Sequence, residues 1–358
     1  MYSASVLSGL LIFTPLYLTS FIPPTLATPL PPSNHDPSPY PVSLLHQFPP
    51  GVWAENLATT STNSLLITIM STPDLLLYDP AAPSLPPTLL HSFADNGPYA
   101  SLLGIAATSA NSFAVVAGNY SLTSAGAIPG TFAIFTITLP PTGSLQTPQV
   151  KLLAPLPDAQ FINGLVYHAY PSPAVLAADS TLGTITRIEL ATGAVSTLLE
   201  VEAFKPCGDS KEGLNGFHIH APTSTLYFTN SACRTFGKVP VRRDGSQAGE
   251  ARVTVTYPAP YFFDDFALGG DGTAWVAVSN GNGIARIAED GEVEVVAGSV
   301  NSTEVAEPTA LVWGREGEVG KGGERVLYVT TGGALGDPIN GTVVVGAQVL
   351  RIGVEGGW

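Results

Sequence analysis

Along residues 214–234 the chain reads LNGFHIHAPTSTLYFTNSACR. A polar Asn215-Gly216 tip is followed by alternating positions over 217–220, a Pro-Thr-Ser turn, and a second strand-like run over 226–229. A period of two places alternate side chains on opposite faces of a strand. NGLVYHAYPSPAVLAADS from Asn163 and DDFALGGDGTAWVAVS from Asp264 repeat the unit. ENLATTSTNSLLITIM from Glu55, LGIAATSANSFAVVAG from Leu103 and PTALVWG…RVLYVTTGG from Pro308 are weaker copies. Six copies at intervals of roughly 45 to 60 residues have the period of propeller blades. Most units add a third strand, such as GTITRIEL or NGIARIAED. No single unit can cover both faces of its own sheet, whereas sheets packed radially about an axis cover one another. The pattern predicts an all-β, six-bladed β-propeller.

PVSLLHQF, residues 41–48, precedes the first copy and reads as a strand. It is expected to close the ring by pairing with the final strand around residues 347–353. Two longer stretches, 118–131 and 332–345, interrupt the second and sixth blades and are expected at the rim, partly covering the central opening.

Composition supports this picture. The 358 residues include 37 glycines and 32 prolines, and only 12% are charged. Val, Ile, Thr and aromatic residues sit in short runs between turn-forming residues, as all-β proteins require. A formal charge of −14 argues against nucleic acid or an anionic membrane as partner, because phosphate contacts need clustered Lys and Arg.

The N-terminus stands apart. Residues 1–27 are apolar without an acidic side chain and end Thr25-Leu26-Ala27, a context for signal cleavage, although no Lys or Arg precedes the apolar run. Pro15, Pro23 and Pro24 interrupt the segment, which argues against a stable membrane span after cleavage. Residues 28–40 then read as a Pro-rich tether, and 41–358 as the propeller. Export through the secretory pathway is the expectation, with a retained anchor as its competitor. Cys207 and Cys233, 26 residues apart, flank the central unit and form either a disulfide or two buried thiols. Sequons at Asn119, Asn301 and Asn340 lie in loop-like sequence and suit a glycoprotein.

Equivalent repeat positions become neighbours at one end of the axial channel. The positions opening the inner strands are Glu55, Leu103 or Gly104, Asn163, Asn215, Asp264 and Thr309. Two carboxylates and two amides on one ring make a hard-oxygen set suited to Ca2+ or Mg2+. The plainer reading is that these Asn and Asp residues only shape turns.

At these residues the chain resembles the SMP-30/gluconolactonase family of six-bladed propellers. NGFHIHAPTSTLYFTNS followed by DDFALGGDGTAWVAVSNGNGIARI carries the likeness, strongest over residues 160–290. The resemblance implies Glu55, Asn215 and Asp264 as metal ligands and Asn163 as a substrate-side residue. Three departures stand out: His218 follows Phe217 where an acid is usual, Asp265 replaces the Gly after the ligand Asp, and no Pro follows Glu55. The leader, the opening GVWAENLATTSTNSLLIT and the cysteine pair resemble more narrowly a fungal subgroup that includes hetero-Diels–Alderases of tropolone–sesquiterpenoid biosynthesis. That resemblance implies joining an ortho-quinone-methide tropolone to a humulene-type alcohol.

Such a cycloaddition needs no nucleophile, and neither a Gly-x-Ser-x-Gly elbow nor a Cys–His pair is evident. It needs two small apolar polyketide- or terpenoid-derived substrates held in one orientation, and no cofactor. Trp53, Tyr99, Phe161, Tyr261 and Phe262 are candidate channel-end aromatics, with packing between blades as the alternative for each. Asp264 is a candidate to polarise the quinone-methide oxygen or to protonate a leaving hydroxyl, Asn163 is a candidate substrate-side residue, and Tyr261 and Phe262 are candidates to shape the cavity. His218 and His220 share a strand face and are further candidates to protonate a leaving hydroxyl. Two other functions stay open: a Ca2+-dependent lactonase, with metal polarising the carbonyl, and a non-catalytic small-molecule-binding propeller.

Overall fold

A computed structural model describes residues 25–26, 40–124, 126–141, 146–315 and 324–354. The signal-peptide and tether assignments therefore lie outside the described residues, except that Thr25–Leu26 pairs in parallel with Arg252–Thr256. Six sheets form the blades, five of them four-stranded and antiparallel and one with Thr25–Leu26 added as a fifth, parallel edge strand. Their inner strands are Ala54–Thr59, Ser101–Ser109, Ile162–His168, Leu214–His220, Phe263–Leu268 and Pro308–Trp313, opening blades 1 to 6. Each lies within a few residues of a position read from the repeat. The outermost strand of blade 6 is Val42–Gln47, antiparallel to Gln348–Val354. Blade 6 is thus built from both ends of the propeller segment.

The second strand of each blade is buried on both faces, and there the apolar positions run almost without a break. Leu65, Ile67 and Ile69 pack toward blade 6, while Leu66, between them, packs toward blade 2. Phe113, Val115 and Ala117 likewise face blade 1, and Ala114 and Val116 face blade 3. The main core clusters of the described residues each fill one gap between neighbouring blades. Burial on this pattern, at roughly 25 cal/mol per Å2 of apolar surface, is the main force holding the ring.

One local expectation is corrected. Asn215-Gly216 is not a loop tip but lies inside the strand Leu214–His220, where pairing with Thr225–Asn230 skips between Leu214 and Phe217. It is a β-bulge, which turns a polar residue inward without ending the strand. The Pro-Thr-Ser turn is a short 3-10 segment, Ala221–Thr223, closed by Ser224 at φ 51°. Among the described residues no helix is long and apolar enough to cross a membrane.

Cys207 and Cys233 are disulfide-bonded with Cα atoms 5.0 Å apart. The bond staples the connection entering blade 4 to the hairpin of that blade. Closing a loop of this length is worth about 3 kcal/mol in the chain-entropy account. Replacing both cysteines by serine is expected to lower unfolding free energy by about that much while leaving the β spectrum intact, as chemical denaturation followed by circular dichroism will show.

The inner strands approach one another so closely that side chains are excluded at some positions. A Cβ on Gly164 would stand 2.5 Å from the Asn215 carbonyl oxygen, and one on Gly104 would stand 2.4 Å from that of Asn163. Backbone at that distance cannot yield without parting the blades. Gly164→Ala is therefore expected to cost roughly 1–3 kcal/mol or more, measured by thermal and urea unfolding. An unchanged stability would contradict the packing described.

Candidate functional site

Every inner strand carries a bulge near its start in its pairing with the second strand, and that of blade 2 carries another at its far end. The register skips at 54/56, 102/105, 162/165, 214/217, 263/266 and 308/310. The residues at the skips are Glu55, Leu103-Gly104, Asn163-Gly164, Asn215-Gly216, Asp264-Asp265 and Thr309. They are the positions read from the repeat, and the bulge is why they share a phase.

Four of these positions are buried and polar: Glu55, Asn163, Asn215 and Asp264 are 6–8% exposed. The other two are structural. Leu103 is core between blades 2 and 3, and Thr309 donates its hydroxyl to the Ala54 carbonyl at 2.8 Å, tying blade 6 to blade 1. Deeper in the channel, Asn56 Nδ2 of blade 1 donates to Asp265 Oδ2 of blade 5 at 2.9 Å, bridging blades that are not neighbours. His218 lies on the same side, its Nε2 3.7 Å from Asp265 Oδ1 and its ring edge-on to Phe266.

Crowded acids dominate the electrostatics. Burial pushes the Glu55 carboxyl up to about 7; the Trp53 indole N–H, donating to Oε2 at 2.6 Å, opposes this, and the charges of Glu212, Asp265 and Glu307 add to it. Burial also holds Asp264 well above the carboxylate range, reinforced by Glu55 and Asp265 and opposed by the Asn215 amide. Glu307 is pushed up to about 7 by burial, although its carboxylate accepts backbone N–H bonds from Gly336 at 3.0 Å and Asp337 at 2.9 Å. These bonds anchor the 332–345 insertion over the ring, where Trp53 packs against Gly332 and Gly336.

The oxygen set fits a hard cation. Asn215 commits its Nδ2 to Ser231 Oγ at 3.0 Å, and Ser231 donates in turn to the Phe263 carbonyl at 2.8 Å. Asn215 Oδ1 is left buried without a hydrogen-bond partner. An orphaned amide oxygen beside two mutually repelling carboxylates is a donor set that a Ca2+ ion would satisfy. Among the described residues no three His, Cys, Asp or Glu side chains gather as a metal centre, so any such site draws on the amide.

The aromatic candidates divide. Trp53 stands at the ring through its bond to Glu55. Phe161 is buried beneath Tyr120, ring centroids 5.5 Å apart. Tyr99 packs edge-on against Phe135 in the core between blades 1 and 2, and Tyr261 packs into the core between blades 4 and 5. Phe262 is half-buried and joins none of the core clusters of the described residues. The two histidines line a different cavity of about 430 Å3, at the far ends of the inner strands of blades 4 to 6, with Leu268 and Trp313. His220 is held there by Thr223 Oγ1 at 2.8 Å and the Gly270 carbonyl at 3.0 Å.

Sequence reasoning missed Tyr120, Glu212 and Glu307. Tyr120 lies in the 118–131 insertion and donates its hydroxyl to Glu212 Oε1 at 3.1 Å. Burial raises both groups, and the charges of Glu55 and Asp264 act on Tyr120, which places it at the ring. None of the three occupies a repeated position; only the insertion carrying Tyr120 was a signal.

Stability should therefore depend on pH with a definite sign. A carboxyl whose folded pKa is raised binds more protons in the folded than in the unfolded chain. Its contribution is complete below the ordinary value near 4.5 and is lost as pH rises through about 7. In chelator-treated protein, urea unfolding free energy is expected to fall between pH 5 and pH 8, by up to about 3 kcal/mol for each of Glu55 and Glu307. Glu307→Gln should flatten the curve; an identical pH dependence in that variant would contradict the burial of an acid there.

Comparison with known proteins is consistent with this geometry. Residues 176–332 match the SMP-30/Gluconolactonase/LRE-like region. A protein from Phoma sp. described as a "Putative hetero-Diels-Alderase" is 28% identical over 156 residues, covering 43% of this chain and 44%, less than half, of that relative's length. Among solved structures, a luciferin-regenerating enzyme has TM-score 0.60 at 16% identity, covering 87% of this chain and 95% of its own. Regucalcin from Agrobacterium tumefaciens, a calcium-binding protein, has TM-score 0.57 at 17% identity, covering 89% and 96%. A gluconolactonase from Xanthomonas campestris has TM-score 0.57 at 12% identity, covering 88% and 90%. At these identities the structures bear on the fold alone: the chain is a six-bladed β-propeller, with an SMP-30/gluconolactonase-like region across residues 176–332.

Proposed function

We propose that the ring end of the channel is the active site of a hetero-Diels–Alderase that joins an ortho-quinone-methide tropolone to the alkene of a humulene-type sesquiterpene alcohol. The observation that carries this reading is a set of carboxyls, two of them buried, whose donors are the Trp53 indole and the Tyr120 hydroxyl, with the Tyr120 ring packed on Phe161 and burial favouring the neutral acids. A carboxyl held neutral donates a hydrogen bond, and a donor at the quinone-methide oxygen lowers the acceptor orbital. The aromatic rings supply flat apolar surface for two unsaturated partners, whose alignment contributes several kcal/mol. The new bonds form from the substrates' own electrons, so no nucleophile is required. Both cysteines are locked in the disulfide, and among the described residues no histidine hydrogen-bonds a serine. The likeness to the Phoma protein supports the same chemistry. Disulfide formation supports passage through the secretory pathway.

A second reading has its own observation. The unpartnered Asn215 Oδ1 beside Glu55 and Asp264 supports a Ca2+-dependent lactonase. Bound there, the ion would polarise an ester carbonyl. Glu55, Asn215 and Asp264 would hold it, Asn163 would orient the substrate, and Trp53 would keep Glu55 in place.

The two chemistries predict opposite mutational patterns. In a cycloaddition controlled by fit, Phe262→Ala is expected to lower the rate and release other regio- or stereoisomers. Asp264→Asn should slow it roughly tenfold with the isomer ratio unchanged. In a lactonase, Asp264→Asn should abolish turnover together with Ca2+ binding, while Phe262→Ala shifts substrate preference. Assay of both variants on a quinone-methide precursor plus the sesquiterpene alcohol, and on simple lactones with and without chelator, decides the matter. Unchanged product ratios in Phe262→Ala with chelator-sensitive lactone hydrolysis by the parent would remove the cycloaddition. Binding without turnover of either kind would leave the non-catalytic propeller.

A further inference from the structure

Tyr120 belongs to the blade 2 insertion and Glu212 to the connection entering blade 4, so their hydrogen bond spans blade 3. Both partners are fixed from behind. The Tyr120 N–H donates to Ser101 Oγ at 3.2 Å, and its ring leans on Phe161. The Glu212 carbonyl accepts the Ala232 N–H at 2.8 Å, and its own N–H donates to Ser210 Oγ at 3.2 Å. The disulfide holds the same connection at Cys207. The pair lies beside the ring: Tyr120 packs on Phe161, which directly precedes the blade 3 inner strand carrying Asn163, and the charges of Glu55 of blade 1 and Asp264 of blade 5 act on it. Glu212 is half-buried, and among the described residues only its Oε1 is engaged, leaving Oε2 for a ligand.

We propose that Glu212 donates a hydrogen bond from Oε2 to a carbonyl-type oxygen of a substrate bound at the ring, with Tyr120 as its positioning residue. This rests on the ring end being the active site. Burial favours the neutral acid, which is the form that donates. The Tyr120 hydroxyl on Oε1 fixes the carboxyl plane and draws electron density from it, strengthening the Oε2–H donor. In a cycloaddition the proton stays on Glu212 throughout, so the step balances without a proton acceptor. The ligand class is a conjugated carbonyl compound with its oxygen in the ring plane, of which tropolone is the simplest probe.

Calorimetric titration of the full chain with tropolone, beside kinetics on the cycloaddition pair, tests the assignment. Glu212→Leu, which removes the donor, is expected to weaken tropolone roughly tenfold and lower kcat roughly a hundredfold with KM changing less. Glu212→Gln, whose amide N–H still donates, should recover part of both losses. Tyr120→Phe, which keeps the ring on Phe161, should weaken tropolone a few-fold and lower kcat roughly tenfold. The Tyr120→Phe, Glu212→Leu double variant should be no slower than Glu212→Leu, because Tyr120 acts through that acid. Multiplying effects, or falls in melting temperature with unchanged Kd and kcat, would make the pair a structural latch and overturn the proposal. A parent protein that ignores tropolone overturns it too. Should Glu212→Leu fail to fold, an unchanged tropolone Kd in Tyr120→Phe is sufficient to reject it. Glu212-dependent tropolone binding without turnover would uphold this assignment and remove the cycloaddition; turnover indifferent to Glu212→Leu would do the reverse.

Discussion

Six inner strands must meet around one axis, and their approach governs everything else in the molecule. Where Gly104 and Gly164 face the next blade's carbonyl, backbone lies against backbone with no room for a side chain. A bulge at that level in every blade relieves the crowding by adding a residue to the inner strand. The same device re-aims side chains, which is how a packed ring acquires a polar end. Site and scaffold are therefore one feature: the residues that let the blades converge also carry Glu55, Asn163, Asn215 and Asp264 inward.

Convergence has an electrostatic cost. Glu55, Glu212, Asp264 and Glu307 are brought together with burial raising every one of them. Lys and Arg ion pairs are found away from the ring, at Glu189, Glu202 and Glu294. Dipoles meet part of the cost instead. Trp53 serves Glu55, Tyr120 serves Glu212, and the Gly336 and Asp337 amides serve Glu307. Three of these four donors come from the insertions of blades 2 and 6, so those loops also stabilise the carboxyls they contact.

Repetition explains what could be read in advance. Blade number, inner-strand positions and the four polar ring residues were legible because each recurs in phase, and a residue polar at a phase where Leu103 is apolar stands out. Cys207 and Cys233 were legible as a pair because their spacing brackets one unit. Glu212 was not, since in the run Asp209-Ser210-Lys211-Glu212 it looks like a solvated loop acid; only the fold turns it toward the axis. Tyr99 and Tyr261 follow the alternative that the sequence left open. Both precede inner strands, and both rings pack against the apolar clusters between blades. Asn215-Gly216 looked like a turn because that dipeptide favours turns in isolation; the tertiary ladder makes it a bulge.

The two chemistries considered for the ring are linked by one equilibrium. A cation at Glu55, Asn215 and Asp264 requires both carboxylates ionised, whereas neutral hydrogen-bond donation requires protons on them. With the Glu55 carboxyl pushed up to about 7, these states exchange within the physiological range. Protons and a hard cation would therefore compete for the same oxygens, each displacing the other. Glu212 stands outside that competition in one respect. Tyr120 occupies its Oε1, and it contributes no oxygen to the Glu55–Asn215–Asp264 set. A cation held in that set would still favour its ionised form, so the donor proposed at Oε2 acts only while the ring holds protons.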